Sequence, residues 1–191
     1  MDYYLSVATF ASLHILLAVG LNLVMGFCGQ VSLGHAAFYG IGAYASALLS
    51  VAGWPFPIAM LGGMLAAGLM GIVTGLTALR FKEDFLAIAT MAIGFIFVGT
   101  ARKLPWLGGE MGISKIPSPL SKHEYAWLAM AAALLLIAFS LHIQRSWMGR
   151  AFNGVAQDEV QAQTIGIDIA GYKIAAFFLG TASAGFAGGL Y

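Results

Sequence analysis

The chain has 191 residues, of which 60% are apolar and only 9% charged, with a formal net charge of +1. Soluble domains carry about 25% charged residues, so a water-exposed globular surface is excluded; the apolar excess excludes disorder, and the near-neutral balance offers no basic field to nucleic acid. One cysteine, Cys28, excludes an internal disulfide and a cysteine-based zinc cluster, which leaves an integral membrane protein.

No Asp, Glu, Lys or Arg stands between Asp2 and Arg80, a run of 77 residues. A helix needs about 20 apolar residues to cross a ~30 Å hydrocarbon core, so the run holds three crossings. They break where turn residues collect, at 26–30 and 53–57. Further charge-free stretches follow at 85–101, 125–144 and 174–191. The predicted spans are 4–25, 33–52, 57–79, 85–102, 125–144 and 174–191, with glycines interrupting the second. The fold class is all-α, a polytopic transmembrane bundle in a single domain over 1–191. β-Barrel strands alternate over about 10 residues, whereas these runs are longer and apolar on all faces. Asp2 is the only charge ahead of the first run, which argues against a secretory signal peptide.

Alternating spans put Arg80, Lys82, Arg145, Arg150 and Lys173 on one side. Lys103, Lys115 and Lys122 lie on the other, with Arg102 at its edge. The first side is slightly favoured as cytoplasmic. Trp54, Trp106, Trp127 and Trp147 fall near span ends, as interfacial anchors do. The third span carries Gly63, Ala67, Gly71 and Gly75 four residues apart, and the last carries Gly180, Ala184 and Gly188. Such stripes make smooth faces for a close neighbour. They serve either plain packing or a seam between moving helices.

Three segments stand out for chemistry. Residues 29–40 place Gln30, Ser32 and His35 inside the charge-free region. Polar groups at depth are costly and face protein or a water-filled path. The glycines suit an unwound helix lining a cavity; a short aqueous loop followed by a tightly packed helix is the other reading. Cys28, Ser32 and His35 also admit a nucleophile–base reading, but no carboxylate stands nearby to orient the histidine. His14, His35, His123 and His142 show no metal-ligand spacing. Residues 80–85 form a compact charged turn that punctuates topology. Residues 145–173 place Val155, Val160 and Ile165 at roughly helical spacing against Gln157, Asp158, Glu159, Gln161 and Gln163. They predict a short amphipathic helix outside the membrane, ended by Gly166. No Lys or Arg lies between Arg150 and Lys173, so docking to a partner fits better than lying on lipid. A plain connector is the alternative.

Taken together, these residues resemble a known family. GQVSLGHAAFYGIGAY at 29–44 is similar to the signature near the start of permease subunits of branched-chain amino-acid ABC importers. LRFKEDFLAIAT at 79–90 and GGEMGI at 108–113 follow in the family's order. GRAFNGVAQDEVQAQTIGI at 149–167 resembles the cytoplasmic loop that meets the ATPase, and KIAAFFLGTASAGFAGGLY at 173–191 the span after it. The resemblance runs from about residue 15 to the end. It implies a multi-pass protein of a bacterial or archaeal plasma membrane that lies in the lipid bilayer. Its implied partners are cytoplasmic ABC ATPase subunits, a second permease subunit and an extracytoplasmic solute-binding protein. It implies 80–84 and 145–173 inside, 103–124 outside, and no cofactor. Candidates for the translocation path are Gln30, Ser32, Gly34, His35, Phe38 and Tyr44. Candidates for ATPase coupling are Gly149, Arg150, Val155, Asp158, Glu159, Val160, Ala162 and Gly166. ATP hydrolysis falls to the ATPase subunit, since this sequence has no phosphate-cradling G-x-x-x-x-G-K-[ST] loop.

The sequence departs from the family pattern in places. Ala156 and Gln157 stand where a basic and an acidic residue are usual. Phe95 stands where Glu is frequent in the fourth span, and Glu83 where Gly is frequent. Members are longer, and this chain stops inside a span, so a C-terminally truncated member is expected. The small, aromatic and neutral path residues suit an apolar amino acid, but also urea, short amides or aromatic acids. Outside this class stand a self-sufficient secondary transporter, which would need charges within spans for ion coupling, and a structural membrane module that only recruits a partner.

Overall fold

The computed structural model describes residues 2–81, 83–114, 116 and 120–191. Lys82 and Lys115, counted in the charge comparison, lie outside the described residues, as do the side chains of Glu83 and Asp84. The described elements are helices, in the order α1 (Asp2–Asn22), α2 (His35–Val51), α3 (Phe56–Ala78), α4 (Glu83–Lys103), α5 (Lys122–Arg145), α6 (Trp147–Gln157), α7 (Glu159–Thr164) and α8 (Ile169–Gly189). One wide π turn, Leu23–Phe27, extends α1, and two 3-10 turns follow α4.

Five helical stretches are long and apolar enough to cross a bilayer: Tyr3–Phe27, Phe56–Ala78, Phe85–Lys103, Lys122–Arg145 and Ile169–Gly189. Five of the six predicted spans correspond to these, four of them with both ends within a few residues; the remaining predicted span, 33–52, falls on α2, which with 17 residues is not among the five. The first span continues past 25 through the π turn at Leu23–Phe27, where the Asn22 side chain occupies the space that a Cβ on Gly26 would need. Helix α8 begins at Ile169, five residues before the predicted start. Lys173 is therefore inside a helix, not in a flanking loop. It is buried and paired with Glu159.

Helix α8 sits at the centre, against α3 along its length and flanked by α2 and α1. The small-residue stripes explain why. A methyl group at Gly71 would collide with Thr181 of α8, and one at Gly185 with Ala67 of α3. The α8 stripe faces elsewhere: Gly180 meets the backbone of Gly20 in α1, and Gly188 meets that of Tyr39 in α2. Close backbone approach gains dispersion contact where lipid offers no hydrophobic drive. Helix α5 packs on α1, and α4 touches the bundle lightly through α2 and α3. Much of α4 faces outward, with Phe85, Ile88, Phe95 and Ile96 exposed.

The antiparallel hairpins define two ends. One holds the start of the 28–34 segment, residues 79–81, α6 and α7. The other holds 52–55, 104–114, 120–121 and Tyr191. All four tryptophans are exposed, three at the second end and Trp147 at the first. A core of Leu23, Phe27, Cys28, Ile143, Phe152, Val155, Ala162 and Ala176 locks α6 and α7 against the ends of α1, α5 and α8.

The expected single helix around 155–165 is two helices. The chain breaks at Asp158, whose backbone is extended (φ −159°, ψ 109°). Its carboxylate accepts from the N–H groups of Val160 (2.8 Å) and Gln161 (3.1 Å), so it caps α7. Across this break Val155 points into the core, whereas Val160 and Ile165 are exposed. Helix α7 closes at Gly166 (φ +86°), a left-handed position that favours glycine. Ile167 N–H bonds Ala162 C=O at 3.0 Å and Gly166 N–H bonds Gln163 C=O at 3.0 Å, the Schellman pattern.

Candidate functional site

Between Phe27 and His35 the backbone has no regular helix. Gly29 takes φ +70°, where a side chain would be strained, and packs against Ala156 at the end of α6. From there the segment runs into the bundle. Gly34 abuts the carbonyl of Thr90, and Leu33 N–H donates to Thr90 Oγ1 at 3.0 Å. Thr90 lies seven residues into α4, about 10 Å along its axis. Helix α2 therefore starts at depth, which is why it has only 17 residues. Its reach is about 25 Å. Unwound backbone at such depth must find partners. Gln30 N–H finds Val24 C=O at 3.1 Å, Leu33 uses Thr90, and Gln30 Nε2 donates to Cys28 C=O at 3.3 Å.

Three buried polar atoms here lack a partner: Ser32 Oγ, His35 Nδ1 and His35 Nε2. His35 is only 5% exposed. Its ring lies beside Gly20 of α1 and edge-on to Phe38, centroids 6.3 Å apart. An unsatisfied buried group costs about 1–3 kcal/mol, so these atoms are a local weakness of the fold. Neither imidazole nitrogen bonds Ser32 or Cys28, so no nucleophile–base pair is set up. Among the described residues no group of three or more His, Cys, Asp or Glu converges on a point.

The predicted path residues thus divide. Gln30, Ser32, Gly34 and His35 line the unwound segment, with Phe38 buried one turn on against Ala67 and Ala184. Tyr44 stands apart, nine residues up α2, its ring edge-on to Phe97 at 5.9 Å. It lines a cavity of about 660 Å³ at the far end of the bundle, among α1, α2, α8, the first turn of α5 and the residues Ile113, Ile116 and Leu120.

The predicted coupling residues divide too. Gly149 is buried in the α5–α6 turn, where the carbonyls of Ile143 and Gln144 leave no room for a Cβ. Val155 and Ala162 are core residues. Arg150 is exposed; its guanidinium lies 5.6 Å from the centroid of Trp147 and donates to Arg145 C=O at 3.2 Å. Asp158 caps α7, Glu159 neutralises Lys173, and Gly166 ends α7. Of the apolar ones only Val160 is outside, 71% exposed, joined by Ile165 at 76%. Sequence reasoning missed Thr90 and Lys173. Thr90 closed a motif without drawing notice, and Lys173 looked like an ordinary flanking charge.

Charge-free helices packed through small residues, one of them broken at depth around unpartnered polar groups, define a polytopic membrane protein with a polar seam in its core. The chain belongs to the family described as branched-chain amino acid transport system / permease component, which it matches over residues 3–191. It is 33% identical to the high-affinity branched-chain amino acid transport system permease protein LivM of Escherichia coli (strain K12), over 97% of this chain and 51% of that protein. It is 32% identical, with the same coverage, to the LivM protein of Salmonella typhimurium. The chain spans about half the length of these relatives. No solved structure matches it.

Proposed function

We propose that this chain is the membrane-spanning permease subunit of an ATP-binding-cassette importer that carries branched-chain amino acids across the plasma (inner) membrane of a bacterium or archaeon. Cytoplasmic ATPase subunits bind and hydrolyse ATP. A second permease subunit completes the pore, and an extracytoplasmic solute-binding protein delivers the solute. The end bearing α6 and α7 faces the cytoplasm. Val160, Ile165 and Arg150 meet the ATPase there, while Gly149, Val155, Asp158, Glu159, Ala162 and Gly166 hold that surface in shape.

The observation that carries this reading is the contact of Ala156 with Gly29. It joins the surface helices to the unwound segment that leads to Ser32 and His35. A displacement of α6 and α7 has a direct route into the bundle, and the segment it reaches is the one whose backbone is held least regularly. Gln30, Ser32, Gly34, His35 and Phe38 form the inner part of the solute path, with Tyr44 further along it.

Purification from native membranes in mild detergent, followed by mass spectrometry, tests the assembly. An ABC ATPase and a second permease at comparable amounts are expected. A chain that purifies alone would overturn the importer reading. Val160→Asp with Ile165→Asp is expected to cut ATP-driven leucine uptake by about tenfold or more, since charge on an apolar contact costs at least 1–2 kcal/mol. The subunit would stay inserted, because neither side chain supports the core.

A further inference from the structure

Among the described residues Lys173 is the one Lys, Arg, Asp or Glu that is buried. It stands in the second turn of α8, within a stretch apolar enough to cross a bilayer. Its ammonium pairs with Glu159 in the first turn of α7, the only ion pair among the described residues. A charge so placed is costly and needs its partner. Stability alone does not call for the pair, because apolar side chains in both places often serve as well. Helix α7 has little else to hold it: Ala162 is its one buried residue, while Val160 faces outward. On α8, Lys173 shares a face with Phe177, Gly180 and Ala184, spaced four, three and four residues apart. Phe177 packs with Val24 and Leu86, and Ala184 with Phe38. Gly180, about 10 Å along the axis from Lys173, meets Gly20, where a Cβ would touch the Gly180 carbonyl, Ser183 and His35 Nε2. One rigid helix face therefore runs from the ion pair to the seam.

We infer that Glu159 and Lys173 are a positioning pair that makes α7 and α8 move together, so that a push on the α7 surface reaches the seam at His35 through α8. The inference rests on the permease reading and deepens it. It names a second route into the bundle, separate from the contact of Ala156 with Gly29. The pair is a strut and not a latch that opens. Lys173 has no other acidic partner among the described residues, so parting it from Glu159 would strand a buried charge. Carrying α8 along with α7 keeps that charge paired.

Leucine uptake per ATP hydrolysed, measured on the full assembly in proteoliposomes, tests this, because loss of folded protein lowers both rates and leaves their ratio unchanged. Glu159→Gln with Lys173→Met removes both charges and leaves neither unpaired. This neutral chain is expected to unfold near the temperature of the unaltered one, yet to lower the ratio about tenfold, the size of an ordinary coupling between two sites. Lys173→Arg keeps a cation for Glu159 and is expected to keep most of the ratio. Should the neutral chain fail to assemble, Glu159→Leu with Lys173→Met, apolar at both positions, takes its place. An unchanged ratio in an assembled neutral chain would overturn the proposal, as would a ratio in Lys173→Arg as low as in the neutral chain. Failure of both neutral chains to assemble would overturn it too, making the pair a folding element. Absence of ATP-driven uptake in the unaltered assembly would instead overturn the permease reading on which the proposal stands.

Discussion

Asp158 and Glu159 are neighbours in sequence, yet they support the fold in different ways. Asp158 satisfies two N–H groups that the first turn of α7 leaves free. Its replacement by Ala is expected to cost about 1 kcal/mol, and by Asn much less. Faster hydrogen exchange confined to 159–166 in Asp158→Ala is the measurement. Glu159 neutralises a lysine whose side chain is 6% exposed, while its own is 41% exposed. Removing one partner leaves a buried charge uncompensated. Because Glu159 is partly solvated, the expected loss in Glu159→Gln is about 1–3 kcal/mol, below that of a fully buried pair. Lys173→Met in the same chain is expected to restore most of it. Thermal unfolding of the four chains of this cycle in detergent measures the coupling. Full stability in Glu159→Gln together with lost uptake would instead assign Glu159 to the partner surface.

At the scale of elements, α8 is held by glycines where backbones touch, while glycines on α4 touch nothing. Gly71→Val would drive a branched side chain into Thr181 and the carbonyl of Phe177, and α8 would leave its seat on α3. Gly94 has open space around the position of a Cβ, so Gly94→Ala is expected to stabilise by up to about 1 kcal/mol through helix propensity. Protease sensitivity of the 145–173 region in membranes separates the two: raised in the first, unchanged in the second. This contrast marks how far the sequence could be read. The spans were legible because a charge-free run of this length has few other uses in a protein. The α3 stripe was legible because four-residue spacing is one helix face. Its orientation of α8 was not, since Gly180, Gly185 and Gly188 serve three different neighbours. The break at Asp158 was hidden by the apolar spacing of Val155, Val160 and Ile165, which runs through it, although an aspartate three residues before Gln161 is itself a capping signal. Which acid pairs with Lys173 is a tertiary fact without a local trace. The candidate site was legible in part: polar residues among glycines marked 29–35, but nothing in the chain linked that segment to Ala156.

For the whole molecule, the proposed path through Ser32 and His35 would set stability against transport at their unpartnered atoms. The segment 28–34 is anchored at one end by the core around Cys28 and Val155, and at the other by Thr90. Between these anchors it carries polar atoms that no protein group satisfies. A bundle selected for stability alone would place apolar side chains there, as it does at Phe38 on the next turn of α2, which packs against Ala184 of α8. Replacing both the polar group and its need for a partner is often neutral or stabilising. His35→Leu is therefore expected to leave the unfolding temperature unchanged or raise it by a few degrees, on the order of 1 kcal/mol. In proteoliposomes holding the proposed assembly it is expected to lower the leucine uptake rate by about tenfold or more, if the polar group at depth lines the solute path as proposed. ATP hydrolysis by the partner would continue, since the α6–α7 surface is untouched. A variant that loses stability and uptake in proportion would make the histidine a packing residue, and one that keeps full uptake would move the path off this seam. Gained or unchanged stability with lost transport is the one combination that the seam alone accounts for.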